Sequence, residues 1–107
     1  MTNEGVAAHR SGSLIWIDIL YVDPAHRGRG AGRRLYETFE AALPADIELV
    51  QVFAADTEGE GNSDGFWQAL GFVYRWDGEE DELSYEATHT LRKGVNGHPT
   101  PAPIRIA

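Results

Sequence analysis

The sequence predicts an α+β domain: a mixed, mostly antiparallel sheet with one parallel strand-helix-strand unit and helices on both faces. Three observations carry this prediction. Two apolar runs, VAAHR (6–10) and LIWIDILYV (14–22), flank the turn signal SGS and read as a β-hairpin. GRRLYETFEAAL (32–43) repeats apolar residues at helical spacing, and IELVQVFAA (47–55) is a further apolar strand. A strand, a helix and a strand in that order form a right-handed crossover between two parallel neighbours.

Each element has a local cause. The run 14–22 is almost wholly apolar, so it is expected to be buried on both faces, and Asp23-Pro24 ends it. In the helix, Leu35, Phe39, Ala42 and Leu43 form the inward stripe, with Glu37 and Glu40 outside. Pro44 disfavours helix at the residue before it and stops this one after about three turns. DTEGEGN (56–62) is an acidic, glycine-rich loop. SDGFWQAL (63–70) forms a short helix with Ser63 as N-cap and Gly71 as its stop. FVYRW (72–76) and ELSYEATHTL (82–91) are expected to pair across DGEED. The organisation is one domain over 1–93 and a Pro/Gly-rich tail over 94–107, the tail extended or mobile.

Composition narrows the function. The 107 residues suffice for one core, burying roughly 65% of the unfolded surface. No apolar run approaches the roughly 20 residues of a membrane span, and MTNEG lacks the features of a secretion signal, so a cytoplasmic protein is expected. With no cysteine and four scattered histidines, no metal site is expected. Nine cationic residues against seventeen carboxylates give a net charge of −8, which argues against nucleic acid as a partner. An acidic surface suits a cationic partner, and solubility alone also accounts for it.

Against that acidity, VDPAHRGRGAGRRL (22–35) concentrates three glycines and four arginines, whereas residues 35–74 hold eight carboxylates and no Lys or Arg. A helix that starts at a glycine-rich turn aims unpaired N–H groups and its positive dipole end at one spot. Glycines let a bulky anion approach the backbone, and arginines fork onto phosphate oxygens. The turn is therefore expected to hold a phosphate group. A dinucleotide fingerprint fails because Arg33 stands where the third glycine would be, and the Gly-Lys-Ser/Thr ending of a nucleoside-triphosphate loop is missing.

The string Arg27-Gly28-Arg29-Gly30-Ala31-Gly32, with Val22-Asp23-Pro24 before it and Leu35 after it, resembles the R/Q-x-x-G-x-G/A signature of the GNAT family of N-acetyltransferases. FWQALGF (66–72) is similar to the family's FYxxxGF segment. The resemblance covers about residues 14–91 and implies a truncated GNAT-like fold without the family's first strand and helices. It further implies acetyl-CoA binding. The diphosphate would lie on the amides around Arg27, Gly28, Arg29, Gly30, Ala31, Gly32 and Arg33, and the pantetheine along the backbone of Leu20, Tyr21 and Val22. Asn62 and Trp67 would complete the cofactor site.

Acetyl transfer to an amine needs a proton acceptor for the ammonium and a proton donor for the departing thiolate. Asp18, the one carboxylate in the run 14–22, stands where many family members carry a carboxylate that acts as base. It alternatively pairs with Arg75 or Arg10. Trp67 occupies the family's usual tyrosine position, and an indole N–H cannot serve as the acid. Water, the acceptor's own ammonium, Tyr21, Tyr36 or Tyr74 remain as proton sources, and Trp67 packs on the pantetheine or in the core. Loss of the amino-terminal helices implies an open acceptor cleft suited to a protein lysine, and a bare sheet edge that a homodimer would cover. A CoA-binding module without turnover and a protein-interaction domain are the alternatives.

Overall fold

A computed structural model describes residues 5–22, 30–54, 63–78 and 81–105. The described elements are β1 (Gly5–Ser11), β2 (Leu14–Tyr21), α1 (Ala31–Ala41), β3 (Leu49–Phe53), α2 (Asp64–Ala69), β4 (Val73–Tyr74), β5 (Trp76–Asp77), α3 (Tyr85–Thr88), β6 (Thr90–Gly94) and β7 (Ile104–Arg105). Five strands form one sheet in the order β1-β2-β3-β6-β4. Only β2 and β3 pair in parallel within it; β1-β2, β3-β6 and β4-β6 are antiparallel. The expected hairpin and strand-helix-strand unit are both present.

The register sorts side chains onto two faces, because residues opposite one another share a side. Ile15 and Ile17 face the same way as Val50 and Val52, which lie opposite Lys93 and Leu91. Lys93 reaches Glu40 of α1 at 2.7 Å and stands over the Tyr36 ring at 5.6 Å, so this is the face that carries α1. Tyr36 meets Trp67 of α2 edge-on at 5.8 Å and Phe72 at 5.4 Å. The two longer helices therefore lie side by side on one face instead of across the sheet from one another. Such edge-to-face pairs add about 1 kcal/mol each beyond the area they bury.

Tyr36 is the centre of this core, 1% exposed, while Ala42 is exposed. The helical stripe is thus rotated from the expected one, and its polar edge is used: the Tyr36 hydroxyl donates to Glu40 at 2.9 Å. Strand β2 departs from expectation too. Ile17 is buried, but Ile19 is 60% exposed and Tyr21 is exposed as well, so the strand is not buried on both faces. The cause is local: β3 accompanies β2 only as far as Ile17 opposite Val52.

Most of the segment 82–91 is not a strand; β6 begins only at Thr90. Ser84 accepts the Ala87 amide at 3.1 Å and caps the one-turn α3, and the Thr88 and Thr90 hydroxyls donate to the carbonyls of Ser84 and Glu86. Only Leu91 and Arg92 pair with Tyr74 and Val73. The run 72–76 is likewise split, because after the Arg75 amide bonds Thr90 the chain turns to pair β5 with β7. Gly71, at φ 97°, stops α2 as expected.

The tail is extended and anchored on the sheet face opposite α1. Gly94 donates to the Thr100 hydroxyl at 3.0 Å, Arg92 Nη2 to the Ala102 carbonyl at 2.9 Å, and Ile104 to the Arg75 carbonyl at 2.7 Å. Asn96, at φ 54°, ties the preceding turn to the carbonyls of Pro44 and Ile47. A Cβ on Gly94 would overlap the carbonyls of His98 and Pro99. Gly94→Ala is therefore expected to lift the tail: limited proteolysis should cut within 95–105 faster than in wild type, with a melting point lower by several degrees.

Candidate functional site

Helix α1 begins at Gly30, whose φ of 73° and ψ of 12° are left-handed and available to glycine at no steric cost. The first helical bond runs from the Arg34 amide to the Gly30 carbonyl at 3.1 Å. The amides of Ala31, Gly32 and Arg33 precede that bond, no side chain among the described residues caps them, and no acidic residue stands in the first turn. Their dipoles and the positive helix end add at one place, which favours an anion. Arg33 lies beside it, with only a loose i,i+4 contact to Glu37 at 3.7 Å between two exposed side chains.

Gly32 serves a different purpose from the one its neighbours suggest. A Cβ there would lie 3.1 Å from Phe66 Cε1 and 3.6 Å from Val22 Cγ2. Its small size lets the first turn of α1 sit on α2 and on the end of β2, and Ala31 beside it is buried for the same reason. Val22 is buried against this turn, Leu20 is half-buried, and Tyr21 is exposed. Arg27, Gly28, Arg29 and Asn62 lie outside the described residues.

The two parallel strands are in register over four pairs, from Leu14-Leu49 to Ile17-Val52. Beyond Ile17, β2 stays with β1 as far as Tyr21 opposite Gly5. The register of β1 against β2 slips between Ala7, opposite Ile19, and Ala8, opposite Ile17. Asp18 is the extra residue of this bulge. A bulge increases twist and bends its strand, and this one lies one residue past the last parallel pair, Ile17-Val52.

Asp18 is paired, but with neither Arg75 nor Arg10. His9 Nδ1 lies 2.8 Å from its Oδ2, and both side chains are about half exposed. Arg10 instead binds Asp46, whose carboxylate raises its pKa. His9 stands opposite Trp16, Trp16 opposite Gln51, and Gln51 opposite Arg92, so the dyad occupies the face away from α1. An imidazole held through Nδ1 presents Nε2 outward, an arrangement suited to accepting a proton.

Trp67 is buried in the core, 4% exposed, and its indole N–H donates to the Ser63 hydroxyl at 3.2 Å. Among the three candidate phenols, Tyr36 is buried, and burial first, then Glu40, pushes its pKa well above the ordinary tyrosine value. Tyr74 donates to Asp64 Oδ2 at 2.6 Å; that bond, then burial and the Asp64 charge, push it up to about 12. Tyr21 is the exposed one of the three. Asp64 also faces His89 Nδ1 at 3.0 and 3.2 Å and is buried, so it belongs to an internal Tyr74-Asp64-His89 cluster and not to a solvated acidic loop. No spacing in the sequence signals that cluster, since its members lie 10 and 25 residues apart.

A protein-family model described as acetyltransferase (GNAT) domain matches residues 3–74, which is more than half of the chain. The chain belongs to the GNAT acetyltransferase family. No curated protein matches it in sequence. The matched span of the GNAT domain runs from β1 through the bulge, the β2-β3 pairing, the start of α1 and α2 to the end of β4.

Tyr74 gives the site a pH signature. Its phenol ionises near 10.0 when unfolded and near 12 when folded. A raised folded-state value contributes stability that is complete below about pH 10 and is lost as pH rises through 12. Tyr74→Phe should lower stability at neutral pH by about 1 kcal/mol. In thermal melts across pH 9–12 it should also flatten the alkaline loss seen in wild type.

Proposed function

We propose that this GNAT domain is an acetyl-CoA-dependent N-acetyltransferase that acetylates a primary amine, with a protein lysine as acceptor. The observation that carries the reading is the end of β2-β3 pairing at Ile17-Val52 on the same side as the uncapped first turn of α1. The donor set fits the cofactor: backbone amides from Gly30 to Arg33 for a diphosphate, and the backbone of Leu20, followed by Tyr21 and Val22, for the pantetheine amides. Arg27, Gly28, Arg29 and Asn62 join this set by family resemblance. Bound there, acetyl-CoA supplies an acetyl thioester.

The chain's own residues then handle protons. A lysine ammonium ionises near 10.4, so it must lose a proton before its nitrogen can attack the thioester carbonyl. Asp18 and His9 receive that proton on the face opposite α1. The thiolate that leaves the thioester would need a proton, which water or the exposed Tyr21 would supply. A lysine acceptor matches the net charge of −8 and the exposed Asp77, Asp81 and Glu82.

A second reading, CoA binding without turnover, is favoured by the commitment of Trp67, Tyr36 and Tyr74 to internal partners. Thiol release from acetyl-CoA in a lysine-rich protein mixture, with acetyl-lysine read by mass spectrometry, separates the two.

Two substitutions test the site. Gly30→Asp places a side chain at a left-handed position and a negative charge at the amides. Calorimetry should show CoA affinity reduced at least about tenfold, a loss of about 1.4 kcal/mol. Asp18→Asn should lower kcat about 100-fold and shift the acidic limb of the pH-rate profile while CoA affinity stays at the wild-type level. An unaltered profile removes Asp18 as base.

A further inference from the structure

The sheet face away from α1 carries a row of donors that the chain leaves unanswered. Gln51 of β3 lies opposite Arg92 of β6, and the amide of Arg75, in the bend between β4 and β5, bonds the Thr90 carbonyl of β6, so the three residues occupy neighbouring positions. Gln51 is 1% exposed and Arg92 9% exposed. Gln51 Nε2, Arg75 Nε and Arg92 Nε are each buried, and none has a hydrogen-bond partner among the described residues. Arg92 spends one Nη2 proton on the Ala102 carbonyl of the tail, and Arg75 stacks over the Trp76 ring at 5.0 Å. Among the described residues, every ion pair goes to other cations, and neither guanidinium meets a carboxylate.

Two arginines without a carboxylate are out of place in a chain with seventeen acidic residues and nine basic ones. Burial, and the charge of Arg75 nearby, lower the Arg92 pKa, which is the effect of two like charges held together out of water. Guanidinium forks and a carboxamide N–H₂ are the donors that suit a planar or tetrahedral oxyanion. We propose that Gln51, Arg75 and Arg92 form a binding site for a small oxyanion, a carboxylate or a phosphate group, between the sheet and the C-terminal tail. This site is separate from the α1 turn: it lies on the opposite face, uses side chains instead of helix amides, and does not depend on acetyl-CoA being the cofactor. The tail closes it through Ala102 and Ile104, so an anion enters by displacing or slipping beneath that segment.

The test reads the donors directly. In ¹⁵N-labelled full-length protein, the arginine Nε–Hε and Gln51 side-chain resonances are followed while sodium acetate, sodium phosphate or sodium chloride is added at matched ionic strength. Arg75→Lys and Arg92→Lys assign the arginine signals. The proposal expects saturable shifts of the Arg75, Arg92 and Gln51 signals with acetate, phosphate or both. The anion that saturates at lower concentration identifies a carboxylate or a phosphate ligand. Arg75→Lys should weaken the response at Arg92 about tenfold, and Gly30→Asp should leave it intact. Shifts that are absent, or linear and equal in chloride, would show that water satisfies these groups and would overturn the site. Loss of the response in Gly30→Asp would overturn its independence from the α1 turn. If either lysine variant fails to fold, the Gln51 signals of the wild-type protein decide between the same outcomes.

Discussion

Four residue pairs hold β2 to β3, and the place where that pairing stops governs everything downstream of it. Parallel strands normally stay together as long as both continue, because each unpaired backbone group costs free energy when buried. Here β3 ends at Phe53, one residue past the last pair, and among the described residues β2 continues to Tyr21 paired with β1. The bulge at Asp18 lies one residue past the last parallel pair, Ile19 and Tyr21 beyond it are exposed, and α1 starts at a left-handed Gly30. One irregularity in one strand thus coincides with the end of the parallel pairing and with the carboxylate that meets His9.

Holding that irregularity in place requires rigidity on the other side of the sheet. The aromatic cluster of Tyr36, Phe66, Trp67 and Phe72 supplies it, with ring centroids 5.0–5.8 Å apart. Gly32 admits Phe66 to the first turn of α1, so the cluster reaches the helix start itself. Trp67 and Tyr36 are thereby committed to internal partners, whereas His9 and Asp18 meet on the exposed face of the sheet. The molecule separates its functions by face: packing where α1 and α2 lie, polar groups where the tail lies.

Local sequence made the hairpin, the crossover unit, α1 and α2 legible, because each depends on neighbours within a few positions: Gly30, Gly71, Pro44, the stripe Leu35-Phe39. What escaped were arrangements fixed by distant contacts. Apolar LIWIDILYV reads as doubly buried, and only the early end of its β3 partner exposes it. The Asp18-His9 pair follows from a register slip that no pattern announces. Tyr36 sits one position from the expected stripe because Glu40 and Lys93 satisfy its hydroxyl and cover its ring. Ser84 turned an apparent strand into a capped turn, and the proline-rich tail found order through bonds to Arg92, Gly94 and Arg75 on strands far from it in sequence.

The parted strands and the helix start are read most directly by a crystal structure of the protein soaked with coenzyme A. The account predicts the diphosphate within hydrogen-bond distance of the Ala31, Gly32 and Arg33 amides, and the pantetheine threaded between β2 and β3 beyond Ile17 and Val52. Coenzyme A bound elsewhere, or β2 and β3 zipped together past that point with those amides bonded to the chain's own atoms, would contradict it.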